Sequence, residues 1–88
     1  MTLTLDGLQM SSRAAAHDHL KAQLQHPDYY GRHLDALYDL LTGFPADTEL
    51  RLLNQAAMLD ALGSYGEILI ETLQQAADEN RNLTFTAQ

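Results

Sequence analysis

Three short segments of this chain, one at each end and one near the middle, alternate apolar with polar residues, and their separation constrains the fold more than any other feature. Thr2–Leu5 reads Thr-Leu-Thr-Leu before Asp6-Gly7, Thr48–Leu53 puts Leu50 and Leu52 on one side, and Leu83–Thr86 alternates once more. A period of two is the signature of a strand with one buried face. Strands this far apart cannot be joined by tight hairpin turns. They need crossovers, and crossovers give parallel pairs with right-handed connections.

The intervening segments read as helices. From Ser12 to about Gln25 the residues are good helix formers, with Ala16, Leu20 and Leu24 at four-residue spacing. Pro27 ends that helix, because the residue before a proline avoids the helical region. A second helix runs from about His33 to Leu41, with Gly43 placed to cap it. Asn54 reads as the N-cap of a short third helix ending near Leu62 and Gly63. Ser64 and Glu67 fit a capping box that opens a fourth helix to about Glu79. The order β-α-α-β-α-α-β implies a small α/β fold, a three-stranded parallel sheet with about four helices packed on it. No repeat, low-complexity tract or Pro/Gly/Ser-rich linker interrupts the chain, so residues 1–88 read as a single domain.

Composition removes several function classes. There is no cysteine, which excludes disulfide scaffolds and thiol catalysis. No apolar run approaches the roughly 20 residues that span a bilayer, and MTLTLDGLQM lacks the basic and apolar regions of a secretory signal. A cytoplasmic protein is expected. Five Lys and Arg stand against twelve Asp and Glu, a net charge of −7. The cations Arg13, Lys21, Arg32, Arg51 and Arg81 are scattered singly, whereas a nucleic-acid or anionic-membrane binder needs a concentrated basic footprint. An acidic surface favours a basic protein partner instead.

The second helix carries the functional signal. At about 100° per residue, Leu34, Leu37, Leu40 and Leu41 form one apolar arc that must face the core. Beside it come Tyr38, Thr42, Asp35 and Asp39. Two carboxylates four residues apart repel, at about 0.2–0.5 kcal/mol in an isolated helix. Asp39 lies near the negative end of the helix dipole, and aspartate is a weak helix former. Along the helix nothing offsets either residue, and positions that violate local rules are often functional. The bland alternative is a solvated pair whose small penalty the fold tolerates. Just upstream, His26-Pro27-Asp28-Tyr29-Tyr30-Gly31 would set aromatic rings beside this acidic face, with one ring expected in and one out.

Two other chemistries deserve weighing. A carboxylate pair at this spacing overlaps the roughly 5–5.5 Å of retaining glycosidases. A convex helix face offers no water-excluding cleft, so a small carboxylate-pair hydrolase is the remote alternative and the chain is read as a non-enzyme. His17-Asp18-His19 resembles a chelate on paper, but residues two apart on a helix point in different directions. No metal or cofactor is expected, and His17 is read as a half-buried packing residue. His26 and His33 flank the tyrosines. If His33 lies near Asp35, its protonation would dull the acidic face.

The run Pro27-Asp28-Tyr29-Tyr30-Gly31-Arg32-His33-Leu34-Asp35-Ala36-Leu37-Tyr38-Asp39-Leu40-Leu41-Thr42-Gly43 resembles the signature segment of the barstar family of ribonuclease inhibitors. The resemblance implies a protein that plugs a barnase-like active site. Asp39 matches the family's aspartate that occupies the substrate-phosphate pocket, among arginines and a catalytic histidine, and Asp35 matches the neighbouring contact aspartate. Tyr29 matches an aromatic that packs on the enzyme, while Gly31 and Thr42 match positions in or beside the contact surface. With Leu34, Tyr38 and Glu79 these residues make up the expected partner-binding set, on a chain expected to be a monomer when free. The departures are His33 for asparagine, Tyr38 for tryptophan, Arg32 for an acidic residue and Gln75 for a contact glutamate. They leave open a barstar-fold immunity or regulatory module for another basic protein or toxin.

Overall fold

The computed structural model describes residues 1–24, 33–44 and 47–88. Its strands are β1 (Thr2–Asp6), β2 (Thr48–Leu53) and β3 (Leu83–Ala87). They form one sheet in the order β1-β2-β3, and both pairs are parallel. Leu3 stands opposite Leu50 and Leu5 opposite Leu52, while Leu50 and Leu52 face Phe85 and Ala87 on the other side. The period of two therefore does what the sequence implies. One face carries leucines into the core, and the other carries Thr4, Glu49, Thr84 and Thr86 to solvent.

Four helices connect the strands: α1 (Arg13–Leu24), α2 (Leu34–Thr42), α3 (Gln55–Leu62) and α4 (Ser64–Glu79). The expected α/β class and element order hold. Ser12 Oγ accepts the Ala15 N–H at 3.1 Å, so a serine caps α1. A short 3₁₀ turn, Gly7–Gln9, follows β1 and was not expected from sequence.

Asn54 is the N-cap of α3 as expected, although its side chain makes no capping bond there. It adopts the left-handed conformation (φ 55°), and its Nδ2 donates to Asp6 Oδ1 at 2.9 Å. The same carboxylate oxygen accepts the Leu8 N–H at 3.0 Å, which pins the end of β1, the 3₁₀ turn and the start of α3 together. The Ser64/Glu67 capping box does not form. Gly63, at φ 58°, turns the chain so sharply that α4 begins one residue earlier, and the Gly63 carbonyl itself accepts the Gly66 and Glu67 amides.

Leu5, Leu20, Leu37, Leu41, Leu50, Met58, Leu69 and Leu73 are fully buried, and each such side chain contributes roughly 1.5–3 kcal/mol on removal from water. Within this core α2 packs chiefly against α4. Both helices run the same way: Leu34 and Tyr38 lie beside Thr72 and Gln75, and Leu41 lies beside Asn80. That parallel pairing positions the acidic face.

Candidate functional site

The apolar arc of α2 is seated as its periodicity requires. Leu37 and Leu41 are fully buried, and Leu34, Tyr38 and Leu40 pack at the rim of the core. The opposite side of the helix leaves Asp35 and Asp39 exposed. Among the described residues neither aspartate has an ion pair or a side-chain hydrogen bond. Asp35 falls in the first turn of α2. The helix dipole therefore favours Asp35 and opposes Asp39, while their mutual repulsion still burdens both.

Two concavities meet at Leu34 and Asp35. One, of about 260 Å³, is walled by Leu34, Asp35 and Tyr38 from α2 and by Thr72 and Gln75 from α4. The other, of about 500 Å³, is lined by Leu34, Asp35 and His33 with Arg13, Ala14, His17 and Tyr65. Asp35 thus stands on a ridge, and Asp39 lines neither hollow. The ring of Tyr38 forms one wall of the smaller hollow. Gln75 presents an amide there and reaches Glu71 Oε1 only at 3.5 Å.

Towards the C-terminal end of α2, Thr42 Oγ1 donates to the Asp39 carbonyl at 3.0 Å. Its hydroxyl proton is thereby engaged, and its lone pairs are left for an incoming donor. Gly43 caps the helix with its N–H on the Leu40 and Leu41 carbonyls at φ −97°, an ordinary conformation rather than the left-handed one usual for a capping glycine. Glu79 is the exposed last residue of α4, next to Asn80, so it belongs to the same end of the molecule as Asp39 and Thr42. The structure thus gathers Leu34, Asp35 and Tyr38 with Gln75, and Asp39 and Thr42 with the end of α4. Tyr29 and Gly31 lie outside the described residues, as do Tyr30 and Arg32.

The histidines of α1 point apart, as residues two apart on a helix must. His17, read from sequence as half-buried, is buried outright and shares a 2.5 Å hydrogen bond with the Tyr65 hydroxyl on α4. The Arg13 guanidinium lies 4.2 Å over the Tyr65 ring. Burial pushes the Tyr65 hydroxyl above its ordinary pKa, and the Arg13 charge partly opposes this. His19 instead accepts the Asp6 N–H. Among the described residues no group of three or more His, Asp or Glu could hold a metal ion, and no helix is long and apolar enough to cross a membrane.

Thr72 escaped the sequence reading. It lies three residues before Gln75 on α4, a spacing that puts both on one helix face and would have located it.

Comparison with known proteins bears on the family. The family model described as Barstar (barnase inhibitor) matches residues 1–88. A protein of Bacillus subtilis (strain 168), named "Putative ribonuclease inhibitor YrdF", is 42% identical over 79 residues, covering 88% of this chain and 86% of its own length. With the fold, the helix order and the family match in agreement, this chain belongs to the barstar family.

Proposed function

We propose that residues 1–88 act as one inhibitor unit, and that the unit blocks the active site of a basic, barnase-like ribonuclease with the acidic face of α2. The observation that carries this reading is the pair Asp35 and Asp39, exposed and without a counter-ion among the described residues. Free carboxylates on a rigid helix can take over the arginines that an enzyme of this kind uses to hold phosphate, and such charge-assisted bonds are strong and geometrically specific. Asp39 enters the phosphate pocket. Asp35 stands at its rim, and Tyr38, Leu34 and Thr42 with Tyr29 and Gly31 supply the surrounding contact. Glu79 adds charge at the far end. A net charge of −7 speeds encounter with a basic enzyme and discourages binding to RNA itself.

The role is that of an inhibitor rather than an enzyme. Among the described residues Asp39 lines neither of the two hollows that Asp35 borders, and both carboxylates lie exposed on the helix surface. The reading places the protein in the cytoplasm, where a ribonuclease would damage the cell that makes it.

The test is inhibition of RNA hydrolysis by barnase, titrated with this protein and with its Asp39→Ala variant. The reading predicts stoichiometric inhibition by the wild type and a large loss in the variant. Equal potency of the two would remove the proposed face, and no inhibition by the wild type would remove a barnase-like target.

A further inference from the structure

The C-terminal end of α2 is an awkward place for an acidic contact residue. Its last carbonyls lack partners within the helix and carry the negative end of the dipole. Because α2 and α4 run parallel, the negative end of α4, with Asp78 and Glu79, lies close by. Asp39 lies in the last turns of α2, near this negative end, and no basic residue in the last turn of α2 offsets it.

The relief comes from 39 residues away. Asn80, just past the end of α4, is buried, and its Nδ2 donates to the Leu41 carbonyl at 2.9 Å and to the Phe44 carbonyl at 3.2 Å. Asn82 Nδ2 donates to the same Phe44 oxygen at 3.3 Å. The Asn80 side chain is itself held, since its Oδ1 accepts the Asn82 N–H at 3.0 Å. Two amide groups thus fasten the carbonyls at the end of α2, one of them belonging to the final helical turn, to the turn between α4 and β3. Both polar atoms of the buried Asn80 side chain are satisfied, as buried polar groups must be to stabilise rather than weaken a fold.

We infer that Asn80, assisted by Asn82, is the positioning residue of the inhibitory face: it fixes the end of α2 so that Asp39 and Thr42 are presented in one geometry before the partner arrives. The inference rests on the proposed function. Neither asparagine need touch the enzyme. Their effect is preorganisation, which removes an ordering penalty otherwise incurred on binding. Asp35, at the other end of the helix and held by the packing of Leu34 and Leu37, does not depend on the clamp.

The test compares Asn80→Ala and the milder Asn82→Ala, which keeps the Leu41 bond and the Asn80 backbone turn. Amide hydrogen exchange on the free protein is the first readout. The clamp predicts that exchange at Thr42, Gly43 and Phe44 speeds by about tenfold in Asn80→Ala and less in Asn82→Ala, while Leu69 and Leu73 in α4 change little. A uniform acceleration, or none, overturns it.

The second readout is the affinity for barnase. Asn80→Ala is expected to weaken binding about tenfold in the wild-type background and in an Asp35→Ala background, but to do little once Asp39 is already alanine. The same loss in the Asp39→Ala background means that the asparagines act only on general stability, and the inference falls alone. If the wild type does not bind barnase, the proposed function falls and takes the binding role of the clamp with it.

Discussion

The backbone N–H of Asp6 donates to Nε2 of His19 at 2.9 Å, tying the end of β1 to the middle of α1 through a nitrogen that must be unprotonated to accept. Burial lowers the His19 pKa below its ordinary value, against the opposing pull of the Asp6 carboxylate. The unfolded chain therefore takes up a proton on His19 before the folded one does. Stability is full above about pH 6.5 and declines as the pH falls from there through the folded value. Asp6 acts in the same direction at lower pH, because the Asn54 and Leu8 hydrogen bonds favour its ionised form. Urea-unfolding midpoints measured from pH 7.5 to 5 should fall. His19→Leu should be less stable at pH 7.5 yet show a shallower slope, and an unchanged slope would contradict this account of the bond.

Asp39→Ala separates function from stability. If the carboxylate is buried against arginines in the complex, removing it leaves them unpaired at a cost of about 3–5 kcal/mol, roughly two to three and a half orders of magnitude in Kd. The free protein should respond the opposite way. An unfavourable charge leaves the last turns of a helix and a better helix former replaces it, a gain of about 0.3–1 kcal/mol visible as a higher Tm. A lower Tm would show that Asp39 serves the fold.

Gly7→Ala should be severely destabilising. A methyl group there would lie 2.1 Å from the Asn54 carbonyl oxygen and 2.9 Å from its carbon, both backbone atoms that cannot swing aside. Overpacking of this kind costs about 1–3 kcal/mol or more. Gly43→Ala meets nothing closer than 3.6 Å and sits at a negative φ, so it should change stability by only a few tenths of a kcal/mol. Denaturant midpoints for the two variants would rank them directly.

These contrasts show where sequence reasoning succeeds. The strands were legible because their residues alternate between a leucine-lined core and solvent, and the helices because Leu20 and Leu24, or Leu37 and Leu41, recur at helical spacing. The start of α4 differs for a local reason: the carbonyl of Gly63, a residue at positive φ, takes the amides expected of the Ser64 side chain, whereas Asn54 does cap α3 by position but its side chain is drawn away to Asp6. Periodicity shows that α2 has an apolar face but not which helix covers it. For that reason Gln75 was identified through family resemblance, Thr72 was missed, and the Asn80 amide on the Leu41 carbonyl left no sequence signal.

Charge should be visible in kinetics before it is visible in affinity. With a net charge of −7 and two exposed carboxylates on the proposed docking face, association with a basic ribonuclease should slow as ionic strength rises, since the Debye length shrinks from about 10 Å at 0.1 M salt to about 3 Å at 1 M. Stopped-flow association rates over that range test it. A rate indifferent to salt would mean that the acidic surface does not steer the encounter.

Competition with a nucleotide tests phosphate mimicry most directly. The apparent Kd for barnase should be measured at increasing concentrations of a mononucleotide that fills the enzyme's phosphate pocket. If the α2 carboxylates occupy that pocket, the apparent Kd rises in proportion to nucleotide, and Asp39→Ala weakens the competition. A complex whose Kd is indifferent to nucleotide would place the protein elsewhere on the enzyme and contradict the account.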